Sequence, residues 1–176
     1  LPRYAGVPTF MRLPHVTPED PLYTSVDIGL VGVPWDGGTT NRPGARHGPR
    51  QLRDLSTMIR AVHPVSHTKP FELCNCADLG DVAPNPADLK ATLDQTTRFY
   101  TQLRARNITP LTAGGDHLIS LPILRGLASD GPIGMIHFDA HADTANILDG
   151  NLASHGTPMR RLIESGAIPG PNFLQV

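Results

Sequence analysis

Cysteine, aromatic residues and net charge are all scarce in this chain of 176 residues. Only two cysteines are present, Cys74 and Cys76, too few for the disulfide framework of a small secreted domain. They stand two apart in a stretch that reads as a strand, where same-face neighbours lie about 6.6 Å apart along the backbone, so a bridge between them would be strained. Their expected state is a pair of buried thiols in a reducing, cytoplasmic compartment. Lys and Arg number 15 against 16 Asp and Glu, a formal charge of −1, and like charges do not cluster. Long-range attraction to nucleic acid or an anionic membrane therefore lacks a source. No run approaches the roughly 18 consecutive apolar residues of a membrane span, the longest being the strand-length Val26–Val33 and Ile133–Phe138. The opening stretch carries Arg3, Arg12, His15, Glu19 and Asp20 among prolines, with no apolar segment of the kind a secretory signal uses.

What the chain has in quantity is turn chemistry, with 17 glycines and 18 prolines making up about one residue in five. Residues 1–22 are proline-rich and aperiodic and read as an arm lying over the domain. Residues 23–176 then alternate between strands and helices. Strands are expected at Val26–Val33, Leu73–Asp78, Ile108–Ala113, Ile133–Asp139 (buried) and Phe173–Val176. Helices are expected after Pro49, after an Asn85-Pro86 start with Leu89, Leu93, Thr96, Tyr100 and Leu103 on one face, over Leu118–Leu127, and from Thr157 or Pro158 through Ile163. Such alternation predicts an α/β fold, a mainly parallel sheet layered between helices, with its site beyond the carboxyl ends of the strands. The long loop Trp35–His47 after the first strand is a candidate for lining that site.

The chemistry concentrates at strand exits. In His137-Phe138-Asp139-Ala140-His141-Ala142-Asp143, residues i, i+2 and i+4 point the same way on extended backbone, so Asp139, His141 and Asp143 can converge, with small alanines between them. Three such side chains at the end of an apolar strand are costly to keep unpaired, and a cation removes the cost. Gly114-Gly115-Asp116-His117 ends another strand, and two adjacent parallel strands would bring His117 to the same cluster. A lone D-x-H or G-G-D-H is more often a surface turn or helix cap; their co-occurrence after strands favours metal. Imidazole and carboxylate donors without thiolate suit Mn, Fe, Ni or Zn better than Ca or Mg. His155, in Ser154-His155-Gly156-Thr157-Pro158, can serve as a proton shuttle, since histidine titrates nearest neutrality.

Gly114-Gly115-Asp116-His117, Phe138-Asp139-Ala140-His141-Ala142-Asp143-Thr144 and Ser154-His155-Gly156-Thr157 resemble the ureohydrolase family, which includes arginase and agmatinase. Thr40–Arg50, Asp78-Leu79-Gly80-Asp81-Val82 and His155–Arg161 are similar to its agmatinase and guanidinobutyrase branch, so the resemblance covers nearly the whole chain. It implies a three-layer arginase-like α/β/α fold and two divalent ions, Mn2+ or alternatively Ni2+, whose bridging hydroxide attacks a guanidinium carbon to release urea and an amine. By position it implies His117, Asp139, His141 and Asp143 as metal ligands and His155 as the proton-transferring residue. It also implies a small guanidino substrate such as agmatine or guanidinobutyrate, and a homo-oligomer, trimer or hexamer, with a hetero-oligomer as a further possibility.

The four ligands bring two negative charges to two divalent ions, leaving the centre underneutralised. Relatives of this kind are longer and supply further aspartates from a later D-x-D motif. Residues 23–176 are therefore expected to be the amino-terminal part of a single domain, incomplete at its carboxyl end. The rival expectation is a non-catalytic subunit with a partial metal site serving an oligomeric partner.

Overall fold

The computed structural model describes all 176 residues. Its elements in chain order are β1 (Ile28–Val33), α1 (Gly48–Ser56), α2 (Pro70–Leu73), β2 (Cys76–Asp81), α3 (Leu89–Ala105), β3 (Thr109–Gly114), α4 (Ser120–Leu127), β4 (Met135–His137), α5 (Pro158–Glu164) and β5 (Phe173–Gln175). Every strand ladder is parallel: β2-β1-β3 form one sheet and β4-β5 a second. Parallel neighbours need crossovers, and the helices supply them. No helix is long and apolar enough to cross a membrane.

β1 is the central strand, and its alternation separates two packed faces. Val31 and Val33 point into the main core with Leu79, Tyr100, Leu103 and Ile123, which brings α3 and α4 onto that side. A fully buried leucine such as Leu103 contributes about 1.5–3 kcal/mol. α3 and α4 touch closely because residue 126 is glycine: a Cβ there would lie 2.6 Å from the Thr97 carbonyl oxygen and 2.7 Å from Tyr100 Cβ. On the other face Leu30 packs with Phe10 and Leu13, and Gly32 leaves room for Pro49 at the start of α1.

The first residues are tied to β2 through one buried carboxylate. Asp78 accepts from the Phe10 and Gly80 backbone N–H groups at 3.0 and 2.9 Å and from Arg53 Nε and Nη2 at 2.8 and 3.0 Å. Its backbone also exchanges hydrogen bonds with the Pro14 carbonyl and the Val16 N–H. Burial alone would push this carboxyl up, but Arg53 and the two N–H groups outweigh it and the net shift is downward.

Several elements depart from the sequence expectations. The strand predicted at Leu73–Asp78 starts instead at Cys76, because Pro70–Leu73 forms a helical turn; Cys74 and Cys76 are free, and both are partly exposed, not buried. α3 starts at Leu89, capped by Asp88, whose side chain accepts from Ala91 N–H at 2.9 Å, while Asn85 caps only its own turn at Ala87. The buried strand expected over Ile133–Asp139 is the three-residue β4, with Ile136 63% exposed, because β5 is its only partner and one face is uncovered. β3 and β4 are likewise not neighbours in one sheet, so the strand ends that carry His117 and the Asp139–Asp143 bend meet without pairing.

Candidate metal centre

His117 opens a short 3-10 turn immediately after β3, seated on the fully buried Leu118. Asp116 caps the turn, its Oδ1 accepting from Leu118 N–H at 2.9 Å. The second contributor is the bend after β4. There the His141 N–H donates to Asp139 Oδ1 at 2.9 Å, turning the chain. Asp143 adopts positive φ, and its carbonyl accepts from Met159 N–H at 3.2 Å at the start of α5.

These turns bring the predicted ligands together unequally. His117 Nδ1 is in direct contact with Asp143 Oδ2 and 3.6 Å from Asp139 Oδ2. His141 Nδ1 lies 3.6 Å from the other oxygen of Asp139, but the side chain is 81% exposed and stands at the rim. Asp139 is held below the usual carboxylate range, first by the His141 N–H and then, against opposing desolvation, by the imidazoles of His117 and His137.

His137 is the residue the sequence reading passed over, although the same two-residue alternation that linked Asp139, His141 and Asp143 extends back to it. It is buried, stacks on His117 with ring centroids 5.1 Å apart, and presents Nε2 3.4 Å from Asp139 Oδ2. Donor atoms of His117, His137 and Asp139 all lie within 4.8 Å of one another. Its tautomer follows from Gln175, whose amide nitrogen donates to the Ala142 carbonyl at 2.7 Å and so must also be the group facing His137 Nδ1 at 2.9 Å. Nδ1 therefore accepts and the proton sits on Nε2, which is buried 3.4 Å from Asp139 Oδ2 without a hydrogen-bond partner. An unpartnered buried ring nitrogen beside His117 and Asp139 adds a third donor atom that a cation could use.

The cluster lines an open cleft of about 530 Å³, whose walls include His117, Asp139, His141 and Asp143 together with Leu148 and His155. Its size suits a small molecule. A larger cavity of about 670 Å³ lies on the sheet face among Ile28, Leu30, Phe71 and Leu111, but it is almost wholly apolar and holds no carboxylate. His155 Nδ1 faces the Gly38 carbonyl at 2.7 Å; because a carbonyl only accepts, Nδ1 carries the proton and Nε2 is left for the cleft. The loop Trp35–His47 does not line this cleft, contrary to expectation. It is folded on itself by Asp36, which accepts from Gly44 N–H at 2.7 Å and pairs with Arg46, and its contribution is the Gly38 carbonyl.

The fit to a divalent cation rests on the donor chemistry: two carboxylates and an imidazole crowd one point at the cleft floor with too few protons to satisfy them all. The model of the Arginase family matches residues 26–176. Guanidinopropionase of Pseudomonas aeruginosa is 51% identical over all of this chain and 54% of its own length. The solved structure of proclavaminate amidino hydrolase from Streptomyces clavuligerus superposes with a TM-score of 0.91 at 39% identity, covering 100% of this chain and 57% of that one. Trypanosoma cruzi formiminoglutamase, whose crystal structure is described with Mn2+2, gives a TM-score of 0.77 at 25% identity over 85% of this chain and 52% of that one. The chain thus spans about half the length of the curated relatives it matches. With parallel strands between helices, ligand-type side chains at the strand exits and a family match that begins just before β1, this chain belongs to the arginase family.

Proposed function

We propose that the protein of which this chain forms part hydrolyses a small guanidino acid to urea and an amine. The observation that carries the reading is the meeting of His117 with Asp139 and Asp143 at the floor of a cleft that His155 also lines. Guanidinopropionase, guanidinobutyrase and the human guanidino acid hydrolase, at 51, 41 and 41% identity, support a substrate carrying a carboxylate tail.

His117, Asp139, His141 and Asp143 would hold a pair of divalent cations, for which Mn2+ has the support of the Trypanosoma cruzi relative. Such a pair, when bound, would supply a hydroxide at neutral pH to attack the guanidinium carbon. The chain's own residues do the rest. Asp139 presents its two oxygens in different directions, one toward His117 and His137, the other toward His141. His155, with its proton fixed on Nδ1, offers Nε2 as the atom that takes up a proton and passes it to the leaving amine.

The test is urea release by the full-length protein loaded with Mn2+ or Ni2+ and offered 3-guanidinopropionate, 4-guanidinobutyrate or agmatine. The expected result is turnover of a guanidino acid in preference to agmatine. No urea from any of the three contradicts the reading.

A further inference from the structure

His155 does not fix its own orientation. Its ring Nδ1 lies 2.7 Å from the Gly38 carbonyl oxygen and its backbone N–H donates to the same oxygen at 3.4 Å. That carbonyl belongs to a turn 117 residues earlier in the chain, built on Gly37 and Gly38, and two glycines give a turn little stiffness of their own. Asp116 grips it at two points. Asp116 Oδ2 accepts from the Gly38 N–H at 2.6 Å, and the Asp116 N–H donates to the Trp35 carbonyl at 2.7 Å. The approach is close enough to require glycine: a Cβ at residue 38 would stand 2.9 Å from Asp116 Oδ2 and 3.0 Å from Leu118 Cβ. Asp116 is itself buried, and its remaining oxygen is occupied by the Leu118 N–H.

We propose that Asp116 is a positioning residue for His155, acting through the Gly38 peptide. By holding Gly38 it places the nearer partner of His155 Nδ1, at 2.7 Å against 3.3 Å for Ser154 Oγ; because that carbonyl can only accept, whereas the hydroxyl can donate or accept, it is Gly38 that selects the tautomer and leaves Nε2 free at the cleft. Asp116 makes no contact with substrate or cation in this role; it works through two hydrogen bonds and one residue of backbone. The proposal rests on the reading of His155 as the proton relay, and it adds a reason why the residue preceding His117 is acidic. One buried carboxylate sets both the turn that carries His117 and the carbonyl that orients His155.

The experiment compares Asp116→Asn and Gly38→Ala in the full-length protein, each alone and combined with His155→Ala. An amide can accept for only one of the two N–H groups that Asp116 serves, and a methyl group at residue 38 forces the same contact apart from the other side. Nitrogen-15 NMR of the His155 ring should show the Nδ1-protonated tautomer in the unaltered protein and a mixture of tautomers in both variants. Compared at equal Mn2+ occupancy, kcat for urea release should fall between about tenfold and a hundredfold at unchanged KM, with no further loss when His155 is already alanine. An unaltered tautomer in both variants, or an equal fold-loss in the presence and absence of His155, overturns the proposal. A protein that releases no urea at all refutes the proposed activity instead, and the NMR comparison still decides the positioning role.

Discussion

Residues 28–127 and residues 133–176 are both built on parallel strands that deliver side chains to a carboxyl-end loop, but they differ in how far they close. The first region packs β1 on both faces, buries Tyr100 and Leu103 completely and pays for its buried carboxylate Asp78 with Arg53 and backbone donors. The second has two three-residue strands and leaves Phe138 76% exposed beside the Asp139–Asp143 bend. The larger buried cluster lies in the first region, the second adds Met159, Leu162 and Ile168 against Leu118 and Leu121, and three of the four candidate ligands sit in the second. The two are tied together at the cleft by polar contacts: His117 to Asp143 and Gly38 to His155.

If that division holds, substitutions in the two regions should separate cleanly. The largest effect is expected for Asp139→Ala, which removes the carboxylate that three imidazoles face. It should lower metal affinity and urea release by more than about a hundredfold, with thermal unfolding of the metal-free protein little changed. His155→Ala should retain full metal content and lower kcat by about a hundredfold or more; equal metal loss in both variants would erase the distinction between ligand and relay. Asp78→Ala should do the reverse, destabilising the fold by about 3 kcal/mol because Arg53 keeps only Asp81 as a carboxylate partner and the Phe10 and Gly80 N–H groups lose their acceptor, while cleft residues keep their mutual geometry. Urea denaturation measures it.

Acid should expose the same asymmetry more gently. Asp36 is held at about 2, first by its hydrogen bond to Arg46 and then, against desolvation, by the N–H groups of Gly44 and Arg46. A carboxyl whose folded pKa is depressed contributes stability above its unfolded value, near 3.9, and loses it as pH falls through the folded value. The Asp36 contribution should thus be constant above about pH 4 and disappear between about pH 4 and pH 2. Asp36→Asn should flatten the stability curve in that interval and leave it unchanged in slope above.

The residues that carried the sequence reading were those whose geometry is local. Asp139 and Asp143 follow one strand, and His117 follows another, so period-two alternation and a glycine turn were enough to place them near one another. His155 needed the resemblance as well. What could not be read was anything set by partners distant in the chain. His137 gains its orientation from Gln175, 38 residues later, and the Gly38–Asp116 contact spans 78 residues, so no spacing rule reveals either. β4 is shorter than its apolar run because extent depends on pairing, and only β5 pairs with it. The Trp35–His47 loop was singled out for its length alone, and length does not say whether a loop faces a ligand or braces a residue that does.

Crystals of the full-length protein grown with Mn2+ and measured at the manganese absorption edge address the central claim most directly. Anomalous peaks should lie within bonding distance of His117, Asp139 and Asp143, with the His117–Asp143 contact opened to admit the metal. Absence of a peak there, with His117 still bonded to Asp143 while manganese occupies another part of the molecule, would contradict it.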